Sequence, residues 1–235
     1  MITDGWLRAR KRGCQTVEGE HMLITDEVHQ VDGVKGAHVY LVASQEPFLV
    51  DTGMPGQERR IIEYIRSVGL NPRHLTGIIL THFDLDHIGS VQNLASALQC
   101  PVYAQEAEIP YIRGQKPRPG MKRFLPHLVS PIYGSLRAPE EVRPCAEMFH
   151  DWEVLPTPGH TPGHIVLYRN GIAIVGDLLQ GGRIRPAPPY LTWNSGQLKE
   201  SIRQLISRPL RWILPGHGPA TPASNHWLDR LERTL

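Results

Sequence analysis

The chain has 235 residues, 40% of them hydrophobic and 20% charged, which is enough apolar material for the core of one large domain. Its 25 basic and 23 acidic side chains leave a formal charge of +2, which argues against a dedicated nucleic-acid binder. No stretch reaches the ~18–20 consecutive apolar residues of a membrane span, and the basic N-terminal segment runs into Gln15-Thr16-Val17-Glu18, not the apolar run of a secretory signal, so a cytoplasmic protein is expected.

In chain order, His38 to Val42 and Pro47 to Val50 are short β-branched and aromatic runs around a polar Ser44-Gln45-Glu46, and they read as a hairpin. Asp51-Thr52-Gly53 ends the second strand. Gln57 to Val68 then places Ile61, Ile62, Ile65 and Val68 at helical spacing, closed by Gly69 and Asn71-Pro72. Gly77 to Leu80 is a buried-strand run, and Val91 to Leu98 is the next helix. Between residues 106 and 143 lie Pro110, Pro117, Pro119, Pro126, Pro131 and Pro139 with Arg113, Lys116, Arg118, Lys122 and Arg123 interspersed. Such a stretch predicts an insertion near a site mouth, acting as a lid, whose basic side chains would attract an anionic group.

Downstream, Ile165 to Tyr168 and Gly171 to Val175 predict two strands joined at Arg169-Asn170. Leu198 to Ile206 predicts an amphipathic helix, and Trp212 to Leu214 a short final strand. Strands and helices alternating in both halves indicate a layered α/β domain. The three cysteines, Cys14, Cys100 and Cys145, are far apart and form no Cys-x-x-Cys pair, so neither a disulfide framework nor a thiolate zinc site is indicated.

The 12 histidines are the unusual feature, and their positions carry the chemistry. Thr81-His82-Phe83-Asp84-Leu85-Asp86-His87 sets four potential ligands directly after an apolar strand, with Phe83 and Leu85 anchoring the loop in the core. Imidazole and carboxylate together suit zinc, manganese, iron or cobalt. The same setting recurs three times: His160 in a Gly/Pro-bounded turn before a strand, Asp177 at a strand end, and His217 in Leu214-Pro215-Gly216-His217-Gly218. In layered α/β folds such strand ends are where sites form. His164 follows His160 by one helical turn's spacing, but the strand after it points to a supporting role, and the other histidines, among them His21, His38 and His127, have no partners in sequence.

These markers, in this order, resemble the metallo-β-lactamase superfamily over nearly the whole chain: Asp51-Thr52-Gly53, the Thr81–His87 loop, His160, Asp177 and Gly216-His217-Gly218. The resemblance implies a four-layer αββα sandwich, one domain built of two similar halves, with two divalent metal ions at the sheet edges. Zinc is the first expectation, with manganese or iron as alternatives. By family precedent His82, Asp84 and His160 hold one ion, Asp86, His87 and His217 the other, Asp177 bridges, and Asp51 orients a ligand by hydrogen bonding. Asp84 is a departure, because the commonest family pattern has histidine there. Two divalent ions would then be balanced by Asp84, Asp86, Asp177 and a hydroxide, and an oxygen-richer first position should accept manganese or iron more readily.

The resemblance further implies a metal-dependent hydrolase in which a metal-bridged hydroxide cleaves a small ester-type substrate (thioester, lactone or phosphodiester), with Asp86 the catalytic group that takes up or relays a proton. Tyr190 and Trp193, in the Pro-rich loop after Asp177, are the candidate substrate-facing residues. The expected partner is a small molecule and neither nucleic acid nor membrane; oligomeric state is open, a dimer included. Two readings compete with hydrolysis: a di-iron redox protein served by a separate electron-donor chain, and a non-catalytic metal-binding relative.

Overall fold

The computed structural model describes residues 22–25, 27–124, 131–132 and 139–235. The basic N-terminal segment, Cys14, His21 and His127 lie outside the described residues, as does the side chain of Arg123. The first sheet takes seven strands in sequence order: β1 (Met22–Leu23), β2 (Val28–Gln30), β3 (Tyr40–Val42), β4 (Phe48–Val50), β5 (Gly77–Leu80), β6 (Val102–Ala104) and β7 (Arg143–Pro144). β3 and β4 form the expected antiparallel hairpin, and β4, β5, β6 and β7 run parallel. Parallel neighbours require crossovers, and the helices α1 (Glu58–Ser67) and α3 (Val91–Leu98) lie in those from β4 to β5 and from β5 to β6.

The second sheet holds β8 (Met148–Phe149), β9 (Trp152–Pro156), β10 (Ile165–Arg169), β11 (Ile172–Gly176), β14 (Trp212–Pro215) and β15 (Thr221–Pro222), in the order β15-β14-β11-β10-β9-β8. A small hairpin of β12 (Leu179–Gln180) and β13 (Arg185–Pro186) stands apart. Helices α5 (Ser195–Ile206) and α6 (Asn225–Glu232) follow on this side, while the short α2 (Leu85–Ile88) and α4 (Ile109–Ile112) belong to the first half.

Period-2 alternation sorts the side chains into three apolar layers. In β5, Ile78 and Leu80 face α1 and α3, whereas Ile79 faces the second sheet. In β11, Ile172 and Ile174 face the first sheet, while Ala173 and Val175 pack with Leu198, Ile202 and Leu205 of α5 and Trp227 and Leu231 of α6. Trp152, Tyr40 and Phe48 fill the space between the sheets with almost no exposure. Helix, sheet, sheet, helix is the expected αββα sandwich.

Three elements differ from expectation. The β10–β11 turn is Asn170-Gly171, not Arg169-Asn170: Arg169 pairs with Ile172, and Asn170 and Gly171 sit at φ +48 and +81, the left-handed pair of a two-residue hairpin loop. Helix α5 begins three residues before Leu198, because the Asn194 side chain accepts the Gln197 N–H and caps a first turn that carries no apolar residue. Trp212–Pro215 is not the final strand, since β15 pairs beyond it.

Candidate metal centre

Five strands of the two sheets deliver their C-terminal ends to one edge of the sandwich. β4 leads to Asp51, β5 to His82, β9 to the turn carrying His160, β11 to Asp177 and β14 to His217. At that edge one donor atom each from His82, Asp84, His160 and Asp177 lies within 4.8 Å of the others, and Asp86, His87 and His217 form a second such group. Asp177 faces both: its Oδ2 is 3.5 Å from His160 Nε2, and its Oδ1 is 3.3 Å from His87 Nε2 and 3.6 Å from His217 Nε2. Asp84 Oδ2 is 3.0 Å from His160 Nε2 and 3.4 Å from His82 Nε2, and Asp86 Oδ2 is 3.0 Å from His217 Nε2. All seven predicted ligands are therefore brought together.

The surroundings fix which ring nitrogens face inward. Asp51 stands at φ +61, a strained conformation for a side-chain-bearing residue. From there its Oδ1 accepts the Thr81 N–H at 2.8 Å, and its Oδ2 accepts the Thr81 hydroxyl at 2.7 Å. The same Oδ2 lies 2.7 Å from His87 Nδ1, which donates to it and leaves the His87 Nε2 lone pair turned toward the centre. Thr81 Oγ1 is also 3.0 Å from His82 Nδ1, which turns the Nε2 of His82 inward in the same way. His164 belongs to neither group: its Nδ1 meets Thr157 Oγ1 at 2.9 Å and its Nε2 accepts the Asp177 N–H at 3.2 Å, so it holds Asp177 in place.

Burial and charge act against each other across this cluster. Desolvation, followed by the neighbouring His87, pushes His82 down to about 4. Desolvation also pulls on His87, but Asp51 and Asp177 outweigh it and hold His87 well above the usual histidine range. Asp177 runs the other way: burial favours its neutral form, and the histidines His87, His160 and His82 together keep it well below the usual carboxylate range.

The donor set fits a divalent metal. His82 Nε2, His87 Nε2, Asp84 Oδ1 and Asp177 Oδ1 are buried without a hydrogen-bond partner, although a buried polar atom left unpaired costs roughly 1–3 kcal/mol. Four such atoms converging at one sheet edge, all nitrogen or carboxylate oxygen, match what zinc, iron or manganese takes.

Two residues outside the predicted ligand set also belong here. Glu108, fully buried just before α4, accepts the backbone N–H of Phe83 at 2.8 Å and that of Gly163 at 2.6 Å, tying the His82–His87 loop to the His160 turn. A lone glutamate in a Pro-rich stretch carries no sequence signal for that. Lys122, in a 3-10 turn at Gly120–Phe124, reaches Asp84 Oδ2 at 2.6 Å and His160 Nε2 at 2.9 Å. Of the five basic residues expected to attract an anion, Lys122 thus enters the ligand cluster, and Arg118 lies against it with its guanidinium 5.9 Å from the Phe83 ring centroid. Arg113 and Lys116 are solvent-exposed.

Tyr190 and Trp193, 70% and 46% exposed, line with Lys122, Gly120 and Thr192 a cavity of about 100 Å³ beside the first ligand group. The Trp193 backbone N–H donates to the His160 carbonyl at 3.2 Å, which pins this loop to the His160 turn. Cys100 and Cys145 are free, and burial raises both thiols to about 11. Among the described residues no helix is long and apolar enough to cross a membrane.

The chain is similar to known proteins over most of its length. It is 30% identical over 229 residues to a probable metallo-hydrolase, YflN, of Bacillus subtilis (strain 168), covering 85% of this chain and 87% of that one. An N-acyl homoserine lactonase of a Bacillus species is 33% identical over 150 residues, covering 53% of this chain and 54% of that one. The solved structure of TTHA1623 in a di-iron-bound form superimposes with a TM-score of 0.68 at 28% identity, covering 88% of this chain and 98% of that one. The model of the metallo-beta-lactamase superfamily matches residues 32–217, and the strand ends from Asp51 to His217 that carry the candidate site all fall within that span, so the chain belongs to this superfamily.

Proposed function

We propose that the protein is a hydrolase that uses a two-metal centre to cleave a small ester-type substrate: a thioester, lactone or phosphodiester. The observation carrying this reading is the pair of donor groups that share Asp177, one oxygen turned toward each. His82, Asp84 and His160 would hold one ion, Asp86, His87 and His217 the other. Metal bound there lowers the pKa of water from ~15.7 towards ~7 and polarises the bond to be broken.

The chain's own groups supply the rest. Asp86, its side chain 30% exposed beside His217, is the carboxylate open to water and takes up the proton. Tyr190 and Trp193 wall the small cavity next to the first ligand group and orient the acyl or phosphoryl part of the substrate. The lactonase relative supports an ester-type substrate, and the di-iron form of TTHA1623 supports iron alongside zinc and manganese.

Elemental analysis of the purified protein, paired with turnover of generic thioester, lactone and phosphodiester substrates, tests the proposal. Bound divalent metal, reaching about two equivalents on reconstitution with excess metal, and activity lost in Asp84→Ala are expected. Activity indifferent to Asp84 and to chelators would overturn it. Visible-range absorption with oxygen uptake and no ester turnover would favour the redox alternative instead.

A further inference from the structure

Lys122 places its ammonium among the first group of candidate donors. It comes from the Pro-rich insertion, is only 4% exposed, and spends all three ammonium protons on the ligand cluster. One goes to Asp84 Oδ2 at 2.6 Å, one to His160 Nε2 at 2.9 Å and one to the His160 carbonyl at 3.4 Å. Its Nζ also stands 5.6 Å from the Phe83 ring centroid, on the residue between His82 and Asp84. No described cation reaches the second group of donors in this way; Asp86, His87 and His217 meet only one another, Asp51, Asp177 and Thr81 through their side-chain polar atoms.

Lone-pair counting makes the ammonium and a metal exclusive. With the His160 proton on Nδ1, its Nε2 carries a single in-plane lone pair, which either accepts a hydrogen bond from lysine or binds metal. Charge counting agrees: the three inner carboxylates, Asp84, Asp86 and Asp177, are balanced by one divalent ion plus one ammonium. Asp84 is also the position at which the ligand loop departs from the common histidine, and a carboxylate there pairs with lysine as a histidine could not.

We propose that Lys122 is an internal competitor for the first metal position, so that the resting protein holds one tight ion on Asp86, His87, His217 and Asp177, and a second enters only as the Lys122 ammonium leaves Asp84 and His160. This rests on the metal-centre reading above and adds an order of loading and a residue that sets it.

Stepwise titration of chelator-treated full-length protein with zinc, followed by calorimetry, tests it. Wild type should bind one ion tightly and a second at least ~100-fold more weakly, and Lys122→Met, which keeps the stem against Phe83, should tighten the second ion by roughly 10- to 100-fold while leaving the first unchanged. Acetylation of Lys122 read by mass spectrometry gives an independent measure: slow with no ion or one ion, fast with two. Two equally tight ions in wild type, affinities unmoved in Lys122→Met, or equal acetylation in every state would overturn the proposal; so would a protein that binds no ion. Ester turnover is scored separately, so an inactive protein with two-step loading would sink the hydrolase reading alone, and an active one with two equal ions would sink only this inference.

Discussion

The Glu108 carboxylate accepts the backbone N–H of Phe83, the residue separating two metal-ligand candidates, although the two residues lie 25 positions apart and in different elements. Its other oxygen takes the Gly163 N–H, between His160 and His164, so one side chain sets the spacing of two ligand loops. Removing it leaves two buried N–H groups unpaired, at roughly 1–3 kcal/mol each. Glu108→Ala should lower Tm by ~5–15 °C in a thermal melt of the metal-free protein.

Glu108 also gives the fold a pH dependence of known sign. Burial, opposed by the N–H groups of Gly163 and Phe83 and the Thr161 hydroxyl, raises the carboxyl from 4.5 to about 7. A raised folded value means that the contribution is complete below 4.5 and is lost as pH climbs through about 7. Metal-free wild type should therefore lose stability over that window relative to Glu108→Gln, which starts lower but is flat. Parallel curves for the two proteins, from denaturant midpoints at a series of pH values, would refute the assignment.

Asp51 acts on the second donor group through His87. Replacing it by asparagine keeps the shape but removes the charge that holds the His87 Nδ1–H and puts an amide where an acceptor of two donors stood. Zinc affinity measured against a chromogenic chelator should fall by roughly 10- to 100-fold. An unchanged affinity would mean that His87 is oriented by packing alone.

The convergence of the candidate donors was readable before the fold because they cluster in motifs at strand ends: His82, Asp84, Asp86 and His87 within one loop, and His160 and His217 each beside a glycine. The apolar runs of β5, β10 and β11 were readable for the same reason, since burial on both faces leaves a continuous signature. Lys122 and Glu108 were not, because their roles depend on where an irregular segment docks, and neither periodicity nor spacing encodes that. Helix α6 and strand β9 also went unpredicted. Strand β9 does alternate, with buried Trp152 and Val154 against partly exposed Glu153 and Leu155, but it is only five residues long.

Gly216 offers a test of how tightly the centre is built. A methyl added there would sit 2.6 Å from Asp177 Oδ1 and 2.6 Å from His87 Cε1, inside the space of two ligands. Gly216→Ala should weaken metal binding by an order of magnitude or more. Its far-UV circular dichroism should match wild type, because the added methyl meets ligand side chains and no core residue. A variant that binds metal normally would mean that the His217 turn shifts freely.

Chelation should expose the electrostatic cost of the empty cluster. The imidazoles of His82 and His87, with ring centroids 4.0 Å apart, and their unpaired inward nitrogens would be relieved by a cation between the donors. Restoring metal at 100 times its dissociation constant should add about 2.7 kcal/mol, seen as a Tm that rises with free metal concentration. A Tm independent of metal would argue that no ion binds the native fold.

The donor side chains are divided between the two sheets, and this has a consequence for how the protein comes into being. His82, Asp84, Asp86 and His87 follow a strand of the first sheet; His160, Asp177 and His217 follow strands of the second. Asp84 and His160 alone are separated by 76 residues of chain. A long closure of this kind is costly until the sheets have packed, so partly folded forms offer only fragments of the ligand set. A metal ion held by the full donor set would thus discriminate between native and immature protein, rewarding only completed assembly. On the ribosome, the emerging polypeptide completes this donor set only after residue 217 has been made and β14 has docked beside β11.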